Sequence, residues 1–156
     1  MNHYYLDTSA LIKRYHNEDG TDVINALMEA IISEKATGVI SSFVMPETIS
    51  ALNRKRNAGL VAEKVFKKLL TVFYEELKHL KIISVDDRRI VKSIPYILKY
   101  NLNSADALHL VCALSEKDSI DPAEQYFFIC CDERLIKAAT KEGVDVINPE
   151  NQKIVP

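Results

Sequence analysis

Four acids and a pair of thiols are the residues of this 156-residue chain whose types and spacing invite chemistry. Asp7 closes the apolar run YYLD, Asp132 closes FFICCD, Glu47 follows VISSFVMP, and Asp106 lies within LNSADALHLVCAL. An acid after an apolar run can cap the next helix, worth about 1 kcal/mol. It can also join a ligand-binding rim, because open parallel sheets bind ligands outside the carboxyl ends of their strands. Glu47 and Asp106 each stand near a helix start, where a negative charge also offsets the dipole. All four project toward one rim. If the strands ending at Asp7 and Asp132 flank the point where strand order reverses, their carboxylates meet.

The thiols read differently. Cys130 and Cys131 sit on an apolar run with strand character, so their side chains point to opposite faces and cannot chelate one ion together. Cys112 supplies no zinc spacing, and three cysteines with two adjacent make no disulfide framework. Buried, inert thiols in a reducing compartment are the expectation.

The elements that must position the acids alternate. Residues 3–6, 37–41, 81–85, 126–130 and 144–147 read as strands. Helical patterns cover roughly 8–16, 21–35, 46–58, 60–79, 87–99, 104–117 and 132–141. Alternation implies parallel strands with right-handed crossovers and hence an α/β three-layer sandwich around a five-stranded parallel sheet. Pro46 suits a first helical turn, while Pro95 should kink or break the segment 87–99. Asp86 and Asp87 need no role beyond capping. In the Asp106 helix, Ala105, Leu108 and Val111 or Cys112 are the candidate packing face.

The length suits one domain, residues 1–156. With 47% hydrophobic and 27% charged residues, the composition is that of an ordinary globule, which disfavours disorder. The N-terminus lacks a signal-peptide pattern and no apolar run approaches the ~20 residues that cross a bilayer, so a cytoplasmic protein is expected. A net charge of −2 argues against an all-over nucleic-acid surface; any such contact must be local.

YYLDTSALIKRY, VMPETISAL, LNSADALHLVCAL and FFICCDERLIKAA resemble, in order, the successive acidic motifs of the PIN-domain ribonucleases, and GVDVINP resembles that family's closing strand. The resemblance spans nearly the whole chain and is nearest to the toxins of VapBC-type toxin-antitoxin pairs. It implies a strand order of 3-2-1-4-5, which sets Asp7 beside Asp132. It makes Asp7, Glu47, Asp106 and Asp132 the catalytic, metal-binding acids, with Asp7 and Asp106 the most direct ligands. It further implies a Mg²⁺- or Mn²⁺-dependent endoribonuclease with an RNA substrate, a small antitoxin as partner, and a homodimer. One departure stands out: relatives commonly carry Thr or Ser two residues before the last acid, where this chain has Cys130, a poorer hydrogen-bonding group.

The physical logic of such a cluster is repulsion. Two carboxylates ~4 Å apart repel by about 1 kcal/mol in water and about 4 kcal/mol at an effective dielectric near 20. Hard divalent ions relieve this and retain waters that serve as nucleophiles in phosphodiester hydrolysis. Thr8, Ser9 and Ser104 are placed to support a ligating carboxylate or touch a phosphate, with helix capping the plainer alternative. His109, three residues after Asp106, is expected to be a helix histidine rather than a ligand, since an oxygen-rich site does not seek imidazole.

Arg54, Lys55 and Arg56 form the candidate RNA contact, although basic residues also complement a helix C-terminus. Leu60, Val65, Phe66, Leu69, Leu70, Val72, Phe73, Leu77 and Leu80 span more than one stripe, which suggests a partner surface as well as core. Rival readings are a PIN nuclease in housekeeping RNA processing, a catalytically inert RNA- or protein-binding relative, and a phosphoacceptor domain. The last wants an acidic pair at YYLDTS and a lysine in VDVINP, and this sequence has neither.

Overall fold

The segment HYYL is apolar on both faces, which suits a strand covered on both sides. In the computed structural model, which describes residues 1–152, it forms β1 (His3–Leu6) at the centre of a parallel sheet. Tyr4 and Leu6 enter one hydrophobic cluster while Tyr5 enters the other, as strand alternation requires.

Chain order is β1, α1 (Thr8–Leu11), α2 (Thr21–Ile32), β2 (Thr37–Ser41), α3 (Val44–Asn57), α4 (Glu63–Glu76), β3 (Leu80–Ile83), α5 (Asp87–Tyr100), α6 (Ser104–Lys117), β4 (Tyr126–Ile129), α7 (Glu133–Lys141) and β5 (Asp145–Ile147). A single 3-10 turn prolongs α1 through Arg14, and another joins α4 to β3. The five strands run in the order β3-β2-β1-β4-β5, all parallel, as the family resemblance implied. Residues from α2, α3 and α4 pack on one face of the sheet, and residues from α6 and α7 on the other.

Gly38 on β2 shows how closely the first layer lies. A Cβ there would come within 2.5 Å of Leu80 Cδ2 and 2.6 Å of Ile31 Cδ1, so both side-chain tips would have to shift to admit it.

Three local expectations are corrected. Pro95 lies inside α5 without ending it; Ser93 is that helix's buried residue, and on so exposed a helix water can satisfy a carbonyl deprived of its N–H partner. The helix stops at Asn101 instead, whose left-handed backbone (φ 52°) closes it. α4 begins at Glu63 rather than residue 60, after an extended Ala62. The packing face of α6 is built by Ala107, Leu110, Cys112 and Ala113, with His109 among them, instead of Ala105 and Leu108, which are half-buried.

A polar network pins α4 to the turn after α1. Glu76, 7% exposed, accepts from Arg14 Nε at 3.0 Å and Nη2 at 2.7 Å and from the Tyr15 hydroxyl at 2.9 Å. Arg14 Nη1 also donates to Asn25 Oδ1 at 2.9 Å, tying in α2.

Candidate active site

β1 and β4 are neighbours, with Leu6 opposite Ile129, so the residues that follow each strand emerge side by side. Asp7 and Asp132 both act as N-caps as well as rim acids. Asp7 accepts from Ala10 N at 2.9 Å, and Asp132 from Arg134 N and Leu135 N, each at 2.9 Å. The capping reading and the rim reading therefore hold together. Asp7 is buried and Asp132 exposed.

Ser9 stitches the two strand ends. Its hydroxyl donates to Asp7, 2.8 Å from Oδ1 and 3.0 Å from Oδ2, and accepts from Cys131 N at 3.0 Å. Cys130 is buried, its thiol 3.8 Å from the Asp132 carbonyl, while two backbone amides steady the Asp132 carboxylate. Backbone support thus stands where a hydroxyl was expected. Burial raises the Cys130 and Cys131 thiols, Cys131 to about 12, which keeps both protonated and unreactive.

Glu47 reaches the rim from the first turn of α3. Its Oε2 accepts from Thr8 Oγ1 at 2.5 Å and lies 2.7 Å from His109 Nε2. Behind the imidazole, Nδ1 lies 3.3 Å from the Tyr5 hydroxyl. Asp106 sits at the third position of α6, where Asn103 and Asp106 form a reciprocal cap. Asp106 N donates to Asn103 Oδ1 at 2.8 Å, and Asn103 Nδ2 returns a bond to Asp106 Oδ2 at 2.7 Å.

Electrostatics tie the acids together. Partial burial, then the charges of Asp132 and Asp7, push the Asp106 carboxyl up to about 6. Asp7 is raised chiefly by burial, against the lowering effects of His109, the Ala10 amide and Ser9. For Glu47 burial works upward, yet the His109 and Thr8 hydrogen bonds and the His109 and Arg54 charges bring it below its ordinary value. Burial works against a charged His109, but its bond to Glu47 and the charges of Asp7, Glu47 and Asp106 raise it overall.

Not every expected residue joins. Ser104 is exposed at the start of α6, and the cap belongs to Asn103. Of the basic trio, Arg54 lines a cleft of about 320 Å³ with Glu47, Thr8, Phe43 and Ser50. Arg56 instead pairs with Glu63 at 3.3 Å and lies over the Phe66 ring, 4.6 Å from its centroid. Lys55 is half-buried. Asn103 is a residue the sequence reading passed over, and His109, expected as a helix histidine, reaches the rim through its bond to Glu47. Asn103 carried a signal, an Asn-x-x-acid box; His109 carried only its spacing from Asp106.

The donors at this rim are carboxylate oxygens, which suit Mg²⁺ or Mn²⁺. Among the described residues no three His, Cys, Asp or Glu side chains converge closely enough to grip an ion directly, since each acid is turned to its own hydrogen-bond partners. The upward push on Asp106 from neighbouring acids marks where added positive charge is favoured. An ion at this rim would have to be held in part through its waters.

The chain matches the PIN domain over residues 4–141 and belongs to that family. Three solved structures illustrate the shared fold. FitAcB from Neisseria gonorrhoeae superposes with a TM-score of 0.65 at 16% identity, covering 96% of this chain and 99% of that one. VapBC2 from Rickettsia felis, bound to a DNA fragment from its promoter, gives 0.63 at 16% identity over 94% and 98%. VapC20 of Mycobacterium tuberculosis, a Sarcin-Ricin loop cleaving toxin, gives 0.61 at 13% identity over 86% and 94%. No curated protein matches the sequence. Among the described residues no helix is long and apolar enough to cross a membrane.

Proposed function

We propose that this chain is a single-domain, metal-dependent endoribonuclease, the toxin of a toxin-antitoxin pair, acting in the cytoplasm and neutralised by a small antitoxin. The observation that carries the reading is the set of four acids on one sheet rim, where Asp132 and Asp7 add to burial in raising Asp106 to about 6. Carboxylates that add to a purely structural fold at their own expense are candidates for function. PIN-family membership and the likeness to toxin-antitoxin structures support the same reading.

In this reading Asp7, Glu47, Asp106 and Asp132 hold Mg²⁺ or Mn²⁺. A bound ion lowers the pKa of its water and stabilises charge on a phosphodiester undergoing in-line attack. The chain's own residues do the rest. Ser9 keeps the Asp7 carboxylate aimed, Asn103 does the same for Asp106, and the amides of α7 hold Asp132. Arg54, exposed beside Glu47, meets the RNA backbone; Lys55 and Arg56 are weaker candidates for that role. Val65 and Val72 on α4, and Ile90, Val91, Ile94 and Leu98 on α5, are exposed apolar residues suited to an antitoxin or a second copy in a homodimer.

The test is incubation of purified, partner-free protein with total bacterial RNA under Mg²⁺, Mn²⁺ or chelator, beside Asp106→Asn, with sequencing of new RNA ends. Discrete, metal-dependent ends that vanish in D106N are expected. Identical end profiles for both proteins would count against the enzyme and for an inert binding relative.

A further inference from the structure

Both side chains that hold Glu47 meet the same oxygen. Thr8 Oγ1 and His109 Nε2 approach Oε2 at 2.5 and 2.7 Å, and among the described residues no side chain bonds Oε1. His109 is 2% exposed and shares α6 with the buried Ala107, Leu110 and Cys112, where an apolar residue would be buried without a polar ring to satisfy. Its ring is confined by Phe43 and Tyr5, at centroid distances of 6.3 and 6.4 Å. The Tyr5 hydroxyl, 3.3 Å from Nδ1, can donate to it, which leaves Nε2 carrying the hydrogen that Glu47 accepts.

The connection also crosses the sheet. α3 packs through Val44 and Leu52 into one core, and α6 packs through Ala107 and Leu110 into the other. The Glu47–His109 bond therefore joins the two helical layers over the rim. Thr8 follows Asp7 directly and His109 follows Asp106 by one helical turn. Each of these two segments thus supplies one acid and one donor that steadies a third acid.

We infer that His109 is a positioning residue for Glu47, fixing Oε2 jointly with Thr8 so that Oε1 is left to take a divalent ion or one of its waters. The inference rests on the nuclease reading above. An imidazole at this place is not a ligand; it acts through the carboxylate, limiting its rotation and holding α3 in register with α6. Ligand-orienting partners of this kind typically alter metal affinity by about 10–100-fold when removed.

The test uses the full chain, Mn²⁺ as the probe, and the wild type beside His109→Ala, His109→Gln, Glu47→Gln and the double variant H109A/E47Q. Mn²⁺ binding is read by paramagnetic resonance of the free ion, with kcat and KM on RNA and a thermal melt for each protein. H109A is expected to lose about 10-fold in Mn²⁺ affinity and to lose kcat while KM for RNA holds within about 2-fold. Glutamine, whose amide nitrogen can donate as Nε2–H does, should recover most of the affinity. In the E47Q background the alanine should change affinity by no more than about 2-fold, because the carboxylate that His109 positions is already gone.

Wild-type affinity in H109A overturns the inference, as does an equal loss in the E47Q background. So does a glutamine variant that regains the melting temperature without regaining affinity. A wild-type protein that neither binds Mn²⁺ nor cleaves RNA overturns the nuclease reading itself, and is distinguished by appearing before any substitution is made.

Discussion

Two polar clusters lie at opposite ends of the stretch that follows β1, and they are built on opposite principles. At Glu76 one carboxylate receives a forked guanidinium and a phenol, so charge and hydrogen-bonding capacity are both met. At the rim, carboxylates face carboxylates, and Asp7 is held by a hydroxyl and an amide, neutral donors. Complete compensation marks a structural joint. A deficit of positive charge, maintained by an otherwise well-packed fold, marks a place where something else binds.

The contrast can be broken at its structural side first. Glu76→Ala would leave Arg14 without its partner and should cost about 3–5 kcal/mol, read as a drop of roughly 10 °C or more in a thermal melt. Cleavage per folded molecule should be unchanged below the transition; a rim-like loss of activity would mean the two clusters are not separable.

At the rim the direction reverses. Asp106→Asn should reduce RNA cleavage by about 100-fold or more, equivalent to about 2.7 kcal/mol of barrier, yet leave the fold intact. Without metal it should even stabilise the protein. The Asp106 carboxyl titrates near 6 in the folded chain, above its ordinary value, so the folded state holds the extra proton between those values and stability falls as pH rises through that window. The metal-free variant should therefore melt about 2–4 °C above the wild type at pH 8, with the gap narrowing below about pH 6 and closing near pH 4. A gap that widens on acidification would contradict the charge deficit. Saturating Mg²⁺ should raise the wild-type melt and leave D106N nearly unmoved. The smallest effect belongs to Arg54→Ala, expected to raise KM for RNA about 3-fold with a shallower salt dependence and kcat unaltered.

Much of this arrangement was legible in the residues. Short apolar runs bounded by polar residues located the strands to within about two residues, and resemblance supplied their order, which periodicity does not encode. What escaped was what depends on partners distant in sequence. His109 lies 62 residues from Glu47 and 104 from Tyr5, and nothing local in DALHL announces either neighbour. Pro95, expected to kink or break its helix, does not end α5, where water can satisfy the carbonyl it orphans, and the helix runs on to an Asn stop. The apolar stripe of Ile90, Ile94 and Leu98 on α5, more exposed than that of α4, was read as ordinary helix. Arg56 drew attention by belonging to a basic run, but a nearby Glu63 and Phe66 claim it.

The central pairing of β1 with β4 has a consequence for how such a protein comes into being. His3 lies opposite Tyr126, and Ser9 reaches across to Cys131, 122 residues further on, so the rim joins segments far apart in sequence. During synthesis from the N-terminus, Asp7 emerges early and waits, because its neighbour on β4 does not yet exist. Long-range parallel pairings of this kind are slow to form, since a large loop must close before any contact rewards it. The acid cluster can therefore be assembled only after β4 has been made and paired with β1. Until that pairing forms, Asp7 and Asp132 are not neighbours and the four acids do not constitute one site.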